Sequence, residues 1–205
     1  MITQPPPIKL SSLIGILGIA FVLLAGGCMR TVQPVLNEDQ VYTDDSLAGK
    51  WVNKEDASAI EIQSAVADKS YAIAYTDKDG KKSNLIGRLG KIGDVMIVDI
   101  TPPAPAEGEN DDIGHAMMLP LHSLFIIRST QPELTLATFD LDWVRKFMGE
   151  HPTELQRLET GNKEDMVISS STADIQQFVT KHQRDPGALG KDAVFVRPPD
   201  AHPTK

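Results

Sequence analysis

Cysteine is nearly absent from this chain: Cys28 is the only one in 205 residues. A lone thiol excludes an internal disulfide framework and a cysteine-based zinc site. Basic residues are also scarce, with 20 Lys+Arg against 28 Asp+Glu and a formal charge of −8. That balance argues against a nucleic-acid partner, because phosphate binding relies on cationic side chains that displace counterions. The chain also has no G-x-S-x-G elbow, Walker loop, G-x-G-x-x-G turn, H-E-x-x-H pair or internal repeat. Hydrophobic residues make up 41%, enough for a real core, so wholesale disorder is excluded.

What remains of candidate chemistry has structural explanations. None of the histidines His115, His122, His151, His182 and His202 has a metal-competent companion one helical turn away. His115 and His122 could converge only through tertiary folding. His182 falls near an expected helix C-terminus, where a cation meets exposed carbonyls favourably. Asp77-Lys78-Asp79-Gly80 begins like a calcium loop but lacks the third acidic position and the closing Glu, so it reads as a hairpin turn. Glu107, Glu109, Asp111 and Asp112 form a solvated acidic loop without a fixed ligand geometry. The run Ser169-Ser170-Ser171-Thr172 is accounted for by helix capping. The expectation is a protein that is not an enzyme, with no catalytic residue, metal or cofactor.

Charge is distributed unevenly. No charged residue occurs from Leu10 to Gly27; Lys9 precedes this stretch and the small residues Ala25, Gly26 and Gly27 close it. A basic end, an apolar middle and a small-residue flank make up a secretory signal. The apolar middle, about a dozen residues, is shorter than the roughly 20 that span a bilayer as a helix. Cys28 follows directly, and Leu24-Ala25-Gly26-Gly27-Cys28 resembles the lipobox of bacterial lipoproteins. The resemblance covers residues 1–28 and departs at Ala25, where that family prefers Leu. It implies cleavage before Cys28 and attachment of lipid to its thiol and new amino group, making the membrane a partner. Met29, rather than Asp, after the cysteine implies outer-membrane placement in a bacterium with two membranes. The alternative is an uncleaved anchor with an incidental cysteine.

Residues 28–45 show no sustained period of 2.0 or 3.6, and read as the lipidated cysteine followed by a flexible tether. Fully extended, seventeen residues reach at most about 55–60 Å. Residues 46–197 form the expected single domain, and 198–205 a Pro-rich disordered tail. Ala59-Ile60-Glu61-Ile62-Gln63 and Ser70-Tyr71-Ala72-Ile73-Ala74-Tyr75-Thr76 alternate as half-buried strands do. Further strands are expected over 84–89, 95–100, 116–121, 123–128, 134–139 and 193–196. Pro102, Pro103 and Pro105 end the fourth of these apolar runs. Asp140 and Ser171 each cap a short helix. A hairpin pairs 155–158 with 166–169 through Gly161-Asn162. The fold class is therefore mainly β, an antiparallel meander closed into a barrel or folded into a sandwich, with two accessory helices.

Gly49-Lys50-Trp51, at the start of the first strand, resembles the Gly-x-Trp motif that opens lipocalin and related calycin barrels. Only Gly49 and Trp51 carry the likeness; Thr76-Asp77-Lys78 lacks the aromatic of that family's Thr-Asp-Tyr motif. The resemblance implies a tryptophan closing one barrel end and a cavity for a small apolar ligand. Two functions follow as expectations: an exported, lipid-anchored binding protein of the cell envelope, or an envelope protein–protein interaction module without a pocket.

Overall fold

The computed structural model describes residues 28–104, 119–161 and 165–199. The expected signal segment 1–27, the expected acidic loop 107–112, His115, residues 116–118, Asn162 and the tail from 200, with His202, lie outside the described residues.

Two short strands open the fold, β1 (Arg30–Thr31) and β2 (Val41–Tyr42). A meander follows: β3 (Gly49–Asn53), β4 (Ala59–Ala65), β5 (Ser70–Thr76), β6 (Lys82–Ile92), β7 (Val95–Thr101), β8 (His122–Ser129) and β9 (Leu134–Ala137). Helix α1 (Leu141–Glu150), strand β10 (Val167–Ile168) and helix α2 (Thr172–His182) intervene before β11 (Ala193–Val196). Each strand from β3 to β9 pairs antiparallel with the next, and β11 pairs with both β9 and β3. The result is a closed antiparallel barrel of eight strands with two short helices. Of the two architectures expected, the barrel is the one formed. Closure leaves no free sheet edge along the ring, which removes the liability of unpaired backbone groups.

Pattern and burial agree strand by strand. On β4 and β5, Ile60, Ile62, Tyr71 and Ile73 are buried, while Glu61, Gln63, Ala72 and Ala74 between them are exposed. That side of the barrel meets solvent. On β7 and β8, Val98, Phe125 and Ile127 join the interior cluster. Their neighbours Ile97, Leu124 and Ile126 are buried in a second cluster outside the wall. Strands covered on both faces read as continuous apolar runs, as Val95-Met96-Ile97-Val98 and Leu124-Phe125-Ile126-Ile127 do.

The covering layer comes from the two helices and the N-terminal segment. Asp140 caps α1 by accepting from the Trp143 amide at 2.8 Å, and Ser171 caps α2 through the Asp174 amide at 3.2 Å. Val144, Phe147, Ile175, Phe178 and Val179 form the inward stripes of the helices. Aromatic rings pack on one another here: Trp143 stacks on Phe147 with centroids 5.1 Å apart, and Phe139 lies 5.0 Å from Phe178. The expected hairpin forms around β10, with the Leu158 amide donating to Val167 at 2.8 Å and the Ser169 amide to Gln156 at 2.8 Å.

The expected tether, residues 29–45, is instead part of the domain. Met29 is 1% exposed, and Val35, Leu36 and Val41 are buried in the outer cluster. Strand β1 lies between β8 and β10, and β2 adds to β6 at Gly90 and Leu89. The Val35 amide donates to the carboxylate of Asp99 at 2.9 Å; Asp99 is itself buried and contacts His122 Nδ1 at 2.9 Å. The segment lacks a period because it is built from two-residue strands and single turns, each seated on a different neighbour. The apolar residues 119–121, expected in a strand, precede β8 without joining it.

Candidate functional site

A turn over residues 44–47 seals one end of the barrel, and side chains from three places in the sequence hold it. Trp51, 1% exposed on β3, donates its indole N–H to the Leu47 carbonyl at 2.9 Å. The Tyr71 hydroxyl on β5 accepts from the Asp44 amide at 2.6 Å. Arg197, just beyond β11, donates to the Ser46 carbonyl at 2.7 Å and lays its guanidinium 4.1 Å from the Trp51 ring centre. Burial raises the Tyr71 phenol above its ordinary value, the first cause being lost hydration. Asp44 closes the turn on itself by accepting from the Ser46 amide at 2.9 Å.

Gly49 makes this packing possible. Its φ is +112°, a region that side-chain-bearing residues rarely occupy, and a β-carbon there would lie 2.6 Å from Arg197 Nη1. Gly49 therefore lets the strand turn in beneath the arginine, and Trp51, two residues on, faces the same side. The structure thus brings the two residues of the Gly-x-Trp motif together with Arg197. Sequence reasoning missed Arg197, since nothing near it in the chain marks it as a partner of Trp51.

Above the sealed end lies a cavity of about 70 Å³ whose lining residues are all Leu, Ile, Val, Phe or Tyr. Leu47 forms its floor. Tyr75, Leu85, Ile100 and Leu136, all half-buried, line it toward the opposite end, where β5 and β7 finish and β6 begins. Both phenols are engaged elsewhere: Tyr71 with Asp44, and Tyr75 with Ser58. The wall therefore offers an occupant dispersion contacts and exclusion of water, without directional hydrogen bonds. The eight-stranded barrel is compatible with a lipocalin-like one, and its fold fits a ligand-binding calycin-like barrel.

Cys28 sits half-buried where the wall changes partners. Strand β8 pairs with β1 through His122 and Ser123, and with β9 from Ile126 onward. The cysteine packs against the interior cluster and its thiol hydrogen-bonds Thr138. Burial pushes the thiol up to about 11, outweighing the opposing pulls of Thr138 and Arg30.

Two of the histidines, His122 and His182, are held by carboxylates. His122 faces Asp99, while His182 contacts Asp185 at 2.6 Å and Glu154 at 3.2 Å and packs 4.4 Å from the Phe147 ring. His182 thus joins α2 to the loop after α1 through side chains, rather than through the helix carbonyls alone. In the 77–81 turn, Asp77 accepts from the amides of Asp79 and Lys81 at 2.9 and 2.8 Å, as a hairpin turn requires. Among the described residues there is no cluster of three His, Cys, Asp or Glu suited to a metal ion, and no helix long and apolar enough to cross a membrane.

Comparison with protein-family models, with curated proteins and with solved structures finds no match for this chain.

Proposed function

We propose that this is a lipid-anchored protein of the bacterial cell envelope, attached through Cys28, whose barrel binds a slim apolar ligand. The observation that carries the binding reading is the wholly apolar cavity above the end sealed by Trp51, Tyr71 and Arg197. Its size limits the ligand. A void of about 150 Å³ takes up benzene, and drug-sized ligands need about 300–1,000 Å³. At about 70 Å³ the barrel accepts the narrow end of a hydrocarbon chain before any side chain has to move. Deeper insertion requires Leu85, Tyr75 or Leu136 to swing aside.

The anchoring half rests on the signal-like segment and the lipobox resemblance at Cys28. Attachment to a thiol that the folded domain shields must precede folding. The lipidated side chain then turns away from Thr138, forfeiting a hydrogen bond worth about 1 kcal/mol. Each acyl CH₂ buried in the bilayer returns about 0.8 kcal/mol, so two or three methylenes outweigh the loss.

Two measurements test this. Cys28→Ala abolishes lipid labelling and releases the protein from membranes; unchanged labelling overturns the anchor. Straight-chain fatty acids raise the melting temperature of the wild type but not that of a folded Ile73→Phe variant, whose ring fills the cavity. The small cavity also favours a second reading, an envelope interaction module. The absence of any ligand shift, together with a specific cross-linked envelope partner, would establish it.

A further inference from the structure

We infer that the domain lies directly against the lipid surface, without a leash, on the side of the barrel that carries β1 and β10. This rests on the proposed attachment at Cys28. The Cα atoms of Cys28 and Met29 are about 3.8 Å apart, and Met29 is already inside the fold at 1% exposure.

The residues that would have to supply slack are fastened one after another. The Arg30 amide donates to Met166 at 3.0 Å and the Val32 amide to Ile168 at 2.8 Å. The Arg30 guanidinium pairs with Asp165 at 2.8 Å. Thr172 Oγ1 donates to the Pro34 carbonyl and Gln176 Nε2 to that of Val35, at 2.6 and 2.8 Å. Freeing even eight residues would break these bonds and expose Met29, Val35 and Leu36. A body of this size has a radius of gyration of roughly 16 Å, so an anchor one residue from its surface cannot let it tumble freely. The geometry is the same if the apolar run 10–27 remains as an uncleaved anchor, because that run also ends one residue before Cys28.

The contact has a defined near side and far side. Leu158, 43% exposed, donates its amide to Val167, which pairs with Arg30. Two strand spacings, roughly 10 Å, therefore separate Leu158 from β1. Val66, 66% exposed, lies in the turn after β4. Strand β4 stands four places round the ring from β8, the strand that carries β1, and so on the opposite wall.

The test introduces Leu158→Cys or Val66→Cys into the full-length lipidated protein in phospholipid vesicles, and measures reaction with a membrane-impermeant maleimide. The Leu158→Cys thiol is expected to react several-fold more slowly than the Val66→Cys thiol. A Gly/Ser linker of about 20 residues between Cys28 and Met29, with a root-mean-square reach of roughly 25 Å, is expected to erase the difference while leaving the protein membrane-bound. Equal rates in the membrane-bound protein without the linker, or a difference that survives the linker, overturn the inference alone. Recovery of the unmodified protein in the soluble fraction overturns the anchor reading, and this inference with it.

Discussion

Arg197 covers Trp51: the guanidinium carbon stands 4.1 Å from the ring centre, over a tryptophan that is 1% exposed. Trp51 lies on β3 and Arg197 directly follows β11, at the seam that closes the barrel, since Val196 pairs with Val52. Removing the arginine forfeits a cation–π contact and the hydrogen bond to Ser46. Arg197→Ala is expected to lower the unfolding free energy by about 1–3 kcal/mol in denaturant titrations. Arg197→Lys should recover only part, because an ammonium cannot stack as a planar guanidinium does.

Gly90 is where the N-terminal segment crosses the barrel wall. A β-carbon there would lie 2.6 Å from Leu36 Cδ2 and 2.9 Å from the Gln40 carbonyl oxygen. The second contact is with backbone and cannot be relieved by a rotamer change. Gly90→Ala is expected to cost about 1–3 kcal/mol, as overpacking usually does. Amide exchange should accelerate across residues 35–41 while β3–β5 stay protected; uniform acceleration would show that this segment is not a separate layer.

In protein made without lipid attachment, the Cys28 thiol is predicted to be sluggish. A free cysteine titrates at about 8.5, whereas burial holds this thiol at about 11. Alkylation by iodoacetamide should be slow at pH 8 and climb with a midpoint near the raised value, reverting to the ordinary one in denaturant. The raised folded value also fixes the sign of the linkage. The stability it contributes is intact below the unfolded pKa and is lost as pH rises toward the folded one.

Glu154 makes the opposite prediction. Lys181 first, at 2.8 Å, and then His182, at 3.2 Å, hold its carboxyl below the usual value. A depressed folded pKa contributes stability above the unfolded value of about 4.3. That contribution is lost as pH falls through the folded value. The difference in melting temperature between wild type and Glu154→Gln should be present at pH 7 and vanish on acidification below that range. A difference that persists in acid would show that Glu154 acts through packing.

Local features of the sequence carried much of this architecture. Ile60-Glu61-Ile62 and Tyr71-Ala72-Ile73 read as strands because one face meets water, and Asp140 and Ser171 announce helices because a capping side chain serves an amide two or three residues away. Met29, Val35, Leu36 and Val41 were illegible as core residues. Their partners are Met166, Asp99, Gly90 and Gln176, scattered across the chain, and no period in 29–45 betrays them. Asp99 looked like any strand carboxylate until Val35 and His122 were placed against it.

A β meander with two capped helices, an apolar charge-free stretch running up to one cysteine, and a Gly-x-Trp at the first strand are all legible in the sequence. Each of these depends on residues close together in the chain, so spacing alone exposes it. Long-range packing is what makes β11 close the ring, Arg197 roof Trp51, the cavity small, and the domain begin at Met29. Those outcomes depend on which distant side chains meet and how much volume they leave between them, and neither quantity is written in local order.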